Sequence, residues 1–232
     1  MFEGMKDLDF QINFDDFSDL EFDIALEFDT RIINPPRIKE ITENLLKYEY
    51  ALDLAKKIVI EKNCRYFCIT NGSFISGDFI EALIVKNNFH VKKMTVSTLS
   101  LSQNNVDSFI NLIKGGFVEQ LNLIVSVYFF SHERHGLINY IYKNLDIDNK
   151  FQLAVANTHC KTCIIETYDD LYIVIHGSNN LRSSGNIEQF SIEESKELFD
   201  FNNDYQDRII EKFKTINKPI RSKTLWNAII NK

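Results

Sequence analysis

Residues 159–189, HCKTCIIETYDDLYIVIHGSNNLRSSGNIEQ, decide how this chain is read. Two runs rich in β-branched and aromatic residues, 159–167 and 171–176, flank Asp169 and Asp170, the turn-forming pair between them, so the stretch predicts a β-hairpin. With the two aspartates as the loop, Lys161 lies opposite Ser178 and His159 opposite Asn180. Side chains alternate faces along a strand. This register therefore puts His159, Lys161, Cys163, His176, Ser178 and Asn180 on one face, and Cys160 and Glu166 on the other. A slip of one residue would redistribute all of them.

An imidazole, an ammonium, a hydroxyl and an amide on one face suit a phosphodiester. A neutral imidazole can attack phosphorus, a lysine can neutralise the non-bridging oxygens, and serine and asparagine can donate hydrogen bonds as charge builds. The scheme requires no metal and no organic cofactor. The same residues also fit a polar strand end at a sheet edge, with His159 hydrogen-bonded at the surface.

H-x-K at His159, Cys160 and Lys161, followed by a hairpin and then G-S-x-N at Gly177, Ser178, Asn179 and Asn180, resembles the signature of the phospholipase D superfamily. The continuation to Glu188 and Gln189 is similar to the single-motif members found in bacteria and on mobile elements. The close resemblance covers residues 159–189; elsewhere it is an ordering of strands and helices. It implies a phosphohistidine formed on His159, a phosphate-holding Lys161, orienting donors Ser178 and Asn180, and Glu188 as the acid that follows the asparagine. The family's aspartate, five positions after the lysine, is Glu166 here, a departure that bears on turnover.

That chemistry needs a second imidazole to protonate the leaving oxygen and later activate water. Family members with one H-x-K build the site across a twofold axis, so the resemblance implies a homodimer with two His159 side chains facing each other. Within one chain His176 is the same-face alternative. His132 and His135, in the run HERH at an expected helix start, read as surface histidines. Downstream, Arg182, Ser183 and Ser184 form, with Asn186, a row of donors suited to a phosphodiester backbone, which also fits an ordinary turn.

A chain of 232 residues with 44% hydrophobic and 25% charged content has enough apolar material for one good core. It contains no run of eighteen apolar residues and no apolar segment at its acidic N-terminus, so the sequence predicts neither a membrane span nor a secretory signal, and a cytosolic setting in a bacterial or phage-infected cell. Four cysteines, Cys64, Cys68, Cys160 and Cys163, have the spacings C-x3-C and C-x2-C. On an extended strand Cys160 and Cys163 point to opposite faces, which argues against zinc and for reduced thiols packed as small apolar side chains. Glycine-rich phosphate loops of either nucleotide-binding spacing are absent from the sequence.

Charge is unevenly laid out. Residues 1–30 hold ten acids against Lys6 alone, so of the net −7 the remainder carries 25 bases minus 23 acids, or +2. A body at +2 can attract a polyanion but is too weakly charged to identify one; the resemblance makes nucleic acid, and DNA first, the expected partner. Within the acidic stretch Leu8, Phe10, Ile12 and Phe14 alternate with polar residues, as do Leu20, Phe22, Ile24, Leu26 and Phe28, predicting an acidic β-hairpin arm over 1–34 ahead of a main domain over 35–232. Such an arm buries its apolar row on the body or on a protein partner.

After Pro35 and Pro36 the apolar spacing predicts a helix over 38–61, a strand over 65–70, a helix over 78–86, a strand over 91–99 and a helix over 105–114 stopped by Gly115 and Gly116. The apolar run 121–130 reads as a central strand, 132–145 as a helix, and 192–199 and 205–216 as further helices. The fold class expected is α/β, a mixed sheet flanked by helices in a phospholipase D-like α/β/α sandwich. Three functions fit the sequence. The first is a metal-independent phosphodiesterase, foremost a nuclease. The second is a catalytically silent nucleic-acid-binding module. The third is an interaction protein of a phage or mobile-element assembly that uses the acidic arm.

Overall fold

The computed structural model describes residues 45–71, 73–182 and 185–216. The arm expected over 1–34 and the beginning of the helix expected over 38–61 lie outside these residues. In chain order the first half contains β1 (Leu45–Tyr48), α1 (Ala51–Ala55), β2 (Arg65–Thr70), α2 (Ser76–Lys86), β3 (Val91–Thr98) and α3 (Gln103–Lys114). The second half contains β4 (Val118–Ser126), α4 (Val127–Glu133), α5 (Leu137–Leu145), β5 (Phe151–Ala156), β6 (Thr162–Thr167), β7 (Tyr172–Gly177), β8 (Glu188–Glu194) and α6 (Lys196–Phe213).

The eight described strands form one mixed sheet in the order β1-β2-β8-β7-β6-β3-β4-β5. Parallel pairs lie at its two flanks, β1 with β2 and β3 with β4 with β5, while β8, β7 and β6 join them through antiparallel ladders. Only β6 and β8, among the described strands, run against the rest. The C-terminal ends of the other strands therefore meet the starts of β6 and β8 at a single edge, which is where crevices form in open α/β sheets.

The pleat sorts side chains into two cores. Met94, Val96, Cys163, Ile165, Ile173 and Ile175 face a large core with the apolar stripes of α2, α3 and α5. On the opposite face Ile124, Ala154, Ile164 and Val174 pack against Ile209 and Phe199 of α6. The helix–sheet–helix sandwich expected from the sequence is the fold found. Phe79 and Phe109, both fully buried, anchor the larger core; truncating either to alanine costs about 3–5 kcal/mol.

Local signals hold at several ends. Ser102 opens α3 with a capping box in which Asn105 takes the usual acid's place, and Gly116, at φ 76°, leaves α3 in the left-handed region that glycine adopts at no steric cost.

Four expectations are corrected. Among its described residues, the stretch expected as one helix over 38–61 contains the strand β1 and five helical residues, because residues 45–48 are drawn into a parallel ladder with β2. The apolar run 121–130 changes type at Ser126, whose hydroxyl accepts from Phe129 N at 3.1 Å and starts α4. The helix expected over 132–145 is two helices, α4 and α5, separated by residues 134–136. Residues 192–194, expected as helix, belong to β8, whose Ile192 is fully buried between β2 and β7.

Candidate functional site

The hairpin β6–β7 forms, with a register one residue away from the one expected. Thr162 pairs with His176, Cys163 with Ile175 and Glu166 with Tyr172. The loop is three residues, Tyr168, Asp169 and Asp170, with Asp170 at φ 57° and Thr167 N donating to Leu171 O at 3.1 Å. A turn followed by one left-handed residue is the usual geometry of a three-residue hairpin loop, and aspartate tolerates that conformation. The Thr167 hydroxyl tightens it by accepting from Leu171 N at 3.1 Å.

This shift changes what faces Lys161. Gly177, not Ser178, lies across from it, with Gly177 N donating to Lys161 O at 3.3 Å. His176, expected beside Lys161, instead pairs with Thr162, whose hydroxyl accepts from Gln206 of α6 at 2.7 Å, so the ring belongs to the α6 side of the sheet. There His176 Nε2 is 3.0 Å from both Glu193 Oε1 and the Ser191 hydroxyl. Glu193, only 7% exposed, also accepts from Arg65. Burial pushes its carboxyl up, but the hydrogen bonds and charges of His176 and Arg65 outweigh burial and hold it below the usual carboxylate value. His176 is thus tethered to Glu193 and Ser191, and it also borders the cavity beside Lys161.

Lys161 is half-buried at the edge, and its Nζ donates to the His159 carbonyl at 3.1 Å. The His159 side chain is exposed, in the segment between β5 and β6. That segment is fixed from within: Ser97 donates to Cys160 O at 3.2 Å, and Cys160 N donates to the Thr158 hydroxyl at 3.1 Å. Cys160 lies on the α6 side near the Tyr205 phenol, whose pKa is raised mainly by burial. Glu166 also faces away from Lys161, and its carboxylate pairs with Lys92 at 3.4 Å.

Ser178 and Glu188, ten residues apart, meet: the Ser178 hydroxyl donates to the Glu188 carboxylate and accepts from Gln189 N at 3.1 Å. The ladder of β7 with β8 continues one step past Gly177, through Ser178 N to Gln189 O at 2.9 Å, and this brings the pair together. Gly177 makes that approach possible, since a Cβ there would stand 2.3 Å from Gln189 O. Asn180 is half-buried, and its Oδ1 is buried with no partner among the described residues. Arg182 is exposed, while Ser183 and Ser184 lie outside the described residues.

Lys161 lines a cavity of about 40 Å³ with Thr98, Asn179, Ile80, Phe190 and Leu181. That volume holds a few waters, not a nucleotide. Asn179 was passed over in the sequence as the variable position of G-S-x-N. Its Nδ2 donates to the buried Thr70 hydroxyl at 3.2 Å, and its Oδ1 is buried without a partner among the described residues. The doubled asparagine, Asn179 and Asn180, was the available signal.

Among the described residues no group of three or more His, Cys, Asp or Glu side chains is gathered to hold a metal ion. Cys68 and Cys163 are buried, and burial raises both thiols, Cys68 to about 12, so they stay protonated as small core side chains. Cys160 is exposed, unlike the buried role expected of it. No described helix is long and apolar enough to cross a membrane.

No family model matches the chain, and no curated protein matches it. Among solved structures it is similar to TrmBL2, an archaeal chromatin protein that binds DNA, at 11% identity and a TM-score of 0.46, over 85% of this chain and 63% of that one. This chain thus spans less than two thirds of the chromatin protein's length. It is also similar to NucT from Helicobacter pylori (14% identity, TM-score 0.44, 56% of this chain and 86% of that one). A third is Nuc from Salmonella typhimurium, a phospholipase D family member (15% identity, TM-score 0.43, 59% and 90%).

Proposed function

We propose that this chain is a metal-independent phosphodiesterase, foremost a nuclease, that works through His159 at a homodimer interface. The observation that carries the reading is the state of Lys161: its ammonium stands at the carboxyl edge of the sheet, bonded to the His159 carbonyl and to no carboxylate among the described residues. A half-buried cation without an anionic partner favours binding an anion from outside. The anchored Ser178–Glu188 pair and the exposed His159 ring border the same edge.

In the proposed reaction an imidazole nitrogen of His159 attacks phosphorus, a P–N bond forms as the P–O bond to the leaving group breaks, and the alkoxide takes a proton from a second imidazole. Water, deprotonated by that second imidazole, then displaces the histidine and regenerates the site. Lys161 and Asn180 stabilise the charge on the equatorial oxygens, and Arg182 with Ser183 and Ser184 holds the flanking backbone. His176 faces α6, so the second imidazole would come from His159 of a second copy.

Bis(p-nitrophenyl) phosphate and a DNA oligonucleotide, incubated in EDTA, test the reading. Turnover lost in His159→Asn, with phosphate trapped on His159 by mass spectrometry, is the expected result. Turnover unchanged by His159→Asn would overturn it, as would a monomer by light scattering at the concentration where cleavage is seen.

A second reading, a silent nucleic-acid-binding module, is favoured by Glu166, which stands at the family's aspartate position and is committed to Lys92. It predicts salt-sensitive DNA binding that survives His159→Ala, with no cleavage.

A further inference from the structure

We propose that Tyr128, backed by His132, is a stacking platform for one base of a single-stranded nucleic acid whose backbone passes Lys161. The inference rests on the phosphodiester-binding reading above and specifies the form of the polymer.

Tyr128 is the most exposed aromatic side chain among the described residues, at 70%. Its ring is not loose. The His132 ring lies against it with centroids 3.9 Å apart and planes inclined by 35°, and His132 Nδ1 is 2.8 Å from Tyr128 O. One face of the phenol is therefore backed, and the other is presented to solvent in a fixed orientation. The backbone beneath is equally fixed, since Ser126 caps α4 through Phe129 N, donates to Leu99 O at 3.3 Å, and Phe129 is buried. A pre-oriented aromatic loses little freedom when a flat partner stacks on it.

Position selects the partner. α4 starts where β4 ends, at the same sheet edge as Lys161. In the ladder Ser97 pairs with both Thr162 of β6 and Ile124 of β4, so the strands that lead to Lys161 and to Tyr128 lie two spacings, about 10 Å, apart. About three stacked nucleotides cover that distance. The strand between them, β3, ends in Thr98, whose hydroxyl donates to Ser100 O at 2.9 Å. Along the chain His132, Glu133, Arg134 and His135 follow Tyr128.

Tyr50, 62% exposed, follows β1, four strand spacings from β6, and two other exposed aromatics are already engaged. Tyr168, at the opposite edge, donates to Glu119 and carries Lys92 over its ring, and Phe67 carries Arg65. A paired duplex keeps its bases inside its own stack, so a lone exposed ring gains a partner only from a single strand.

The test uses the full chain, a twelve-nucleotide DNA with 2-aminopurine at successive positions, and the same sequence as a duplex. For the wild type one position, about three nucleotides from the one protected by Lys161, shows quenched fluorescence. Tyr128→Ala abolishes that quenching, weakens single-strand binding about tenfold and leaves duplex binding within about twofold. Tyr128→Phe retains both the quenching and the affinity. Single-strand affinity unchanged in Tyr128→Ala, with the wild type binding normally, would overturn the platform and leave the phosphodiester reading intact. A wild type that binds neither single strand nor duplex would overturn both. A thermal melt of Tyr128→Ala matching the wild type excludes misfolding as the cause.

Discussion

The two ends of the sheet are built differently. At the end that holds the β6–β7 loop and the start of α6, charged groups are tied to one another. Lys62 reaches Glu194 and Asp170 O, Lys92 reaches Glu166 and Asp170, Tyr168 donates to Glu119, and Arg65 donates to Glu193. At the other end the segments are fixed by hydroxyls bonded to backbone: Thr98 to Ser100 O, Ser126 to Leu99 O, Ser97 to Cys160 O. Neutral bonds hold those segments, which leaves Lys161 and Arg182 facing outward. Charges at the first end are paired within the fold, whereas on the proposed reading Lys161 at the second binds a phosphodiester.

That division makes predictions. At the open end, His159→Asn should lower phosphodiester turnover by on the order of 10³-fold, while its melting curve stays within about 0.5 kcal/mol of the wild type. A variant equally impaired in both would erase the contrast between the ends. At the tied end, Arg65→Met leaves the buried Glu193 carboxylate without its guanidinium and should cost about 3 kcal/mol in urea unfolding, with turnover per folded molecule preserved.

Glu193 sharpens the same point through pH. Its folded value is depressed from 4.5, so its stabilisation is complete above that pH and lost as pH falls below it. Wild type should therefore exceed Glu193→Gln in stability near neutrality and converge with it in acid, as followed by denaturation at stepped pH. Gly177→Ala acts at the open end, because its Cβ would strike the backbone of Gln189 and Phe190; about 2 kcal/mol of stability should go, together with the Ser178–Glu188 hydrogen bond. The smallest effect belongs to Lys92→Ala, a partly exposed pair worth under about 0.5 kcal/mol and without consequence for DNA binding.

Much of this was legible in the sequence, and the failures have physical causes. Alternating apolar residues marked β3 and the hairpin, and helical spacing with Gly115 and Gly116 marked α3, because each signal is local. The register of the hairpin was missed because Asp169 and Asp170 look like a complete two-residue turn, while the loop recruits Tyr168 as well. A one-residue difference moved His176 to the other face. β8 was missed because three of its five buried residues are polar: Ser191, Glu193 and Glu194 are tolerated inside by Arg65, His176, Lys62 and the backbone of Asn63 and Tyr172, partners remote in sequence. The meeting of Ser178 with Glu188 was visible as a motif, but its geometry depends on β8 being a strand.

β8 lies between β2 and β7, and Thr70 of β2 pairs with Glu188 of β8. During synthesis a ribosome must release nearly all of the described chain before β2 acquires its antiparallel neighbour. Until then β2 presents an open ladder to other nascent chains, a period in which a chaperone holding that edge would raise the yield of folded protein. The edge that carries Lys161 and Ser178 matures at the same late moment, so interrupted translation products would carry the H-x-K residues without the strand that anchors Ser178.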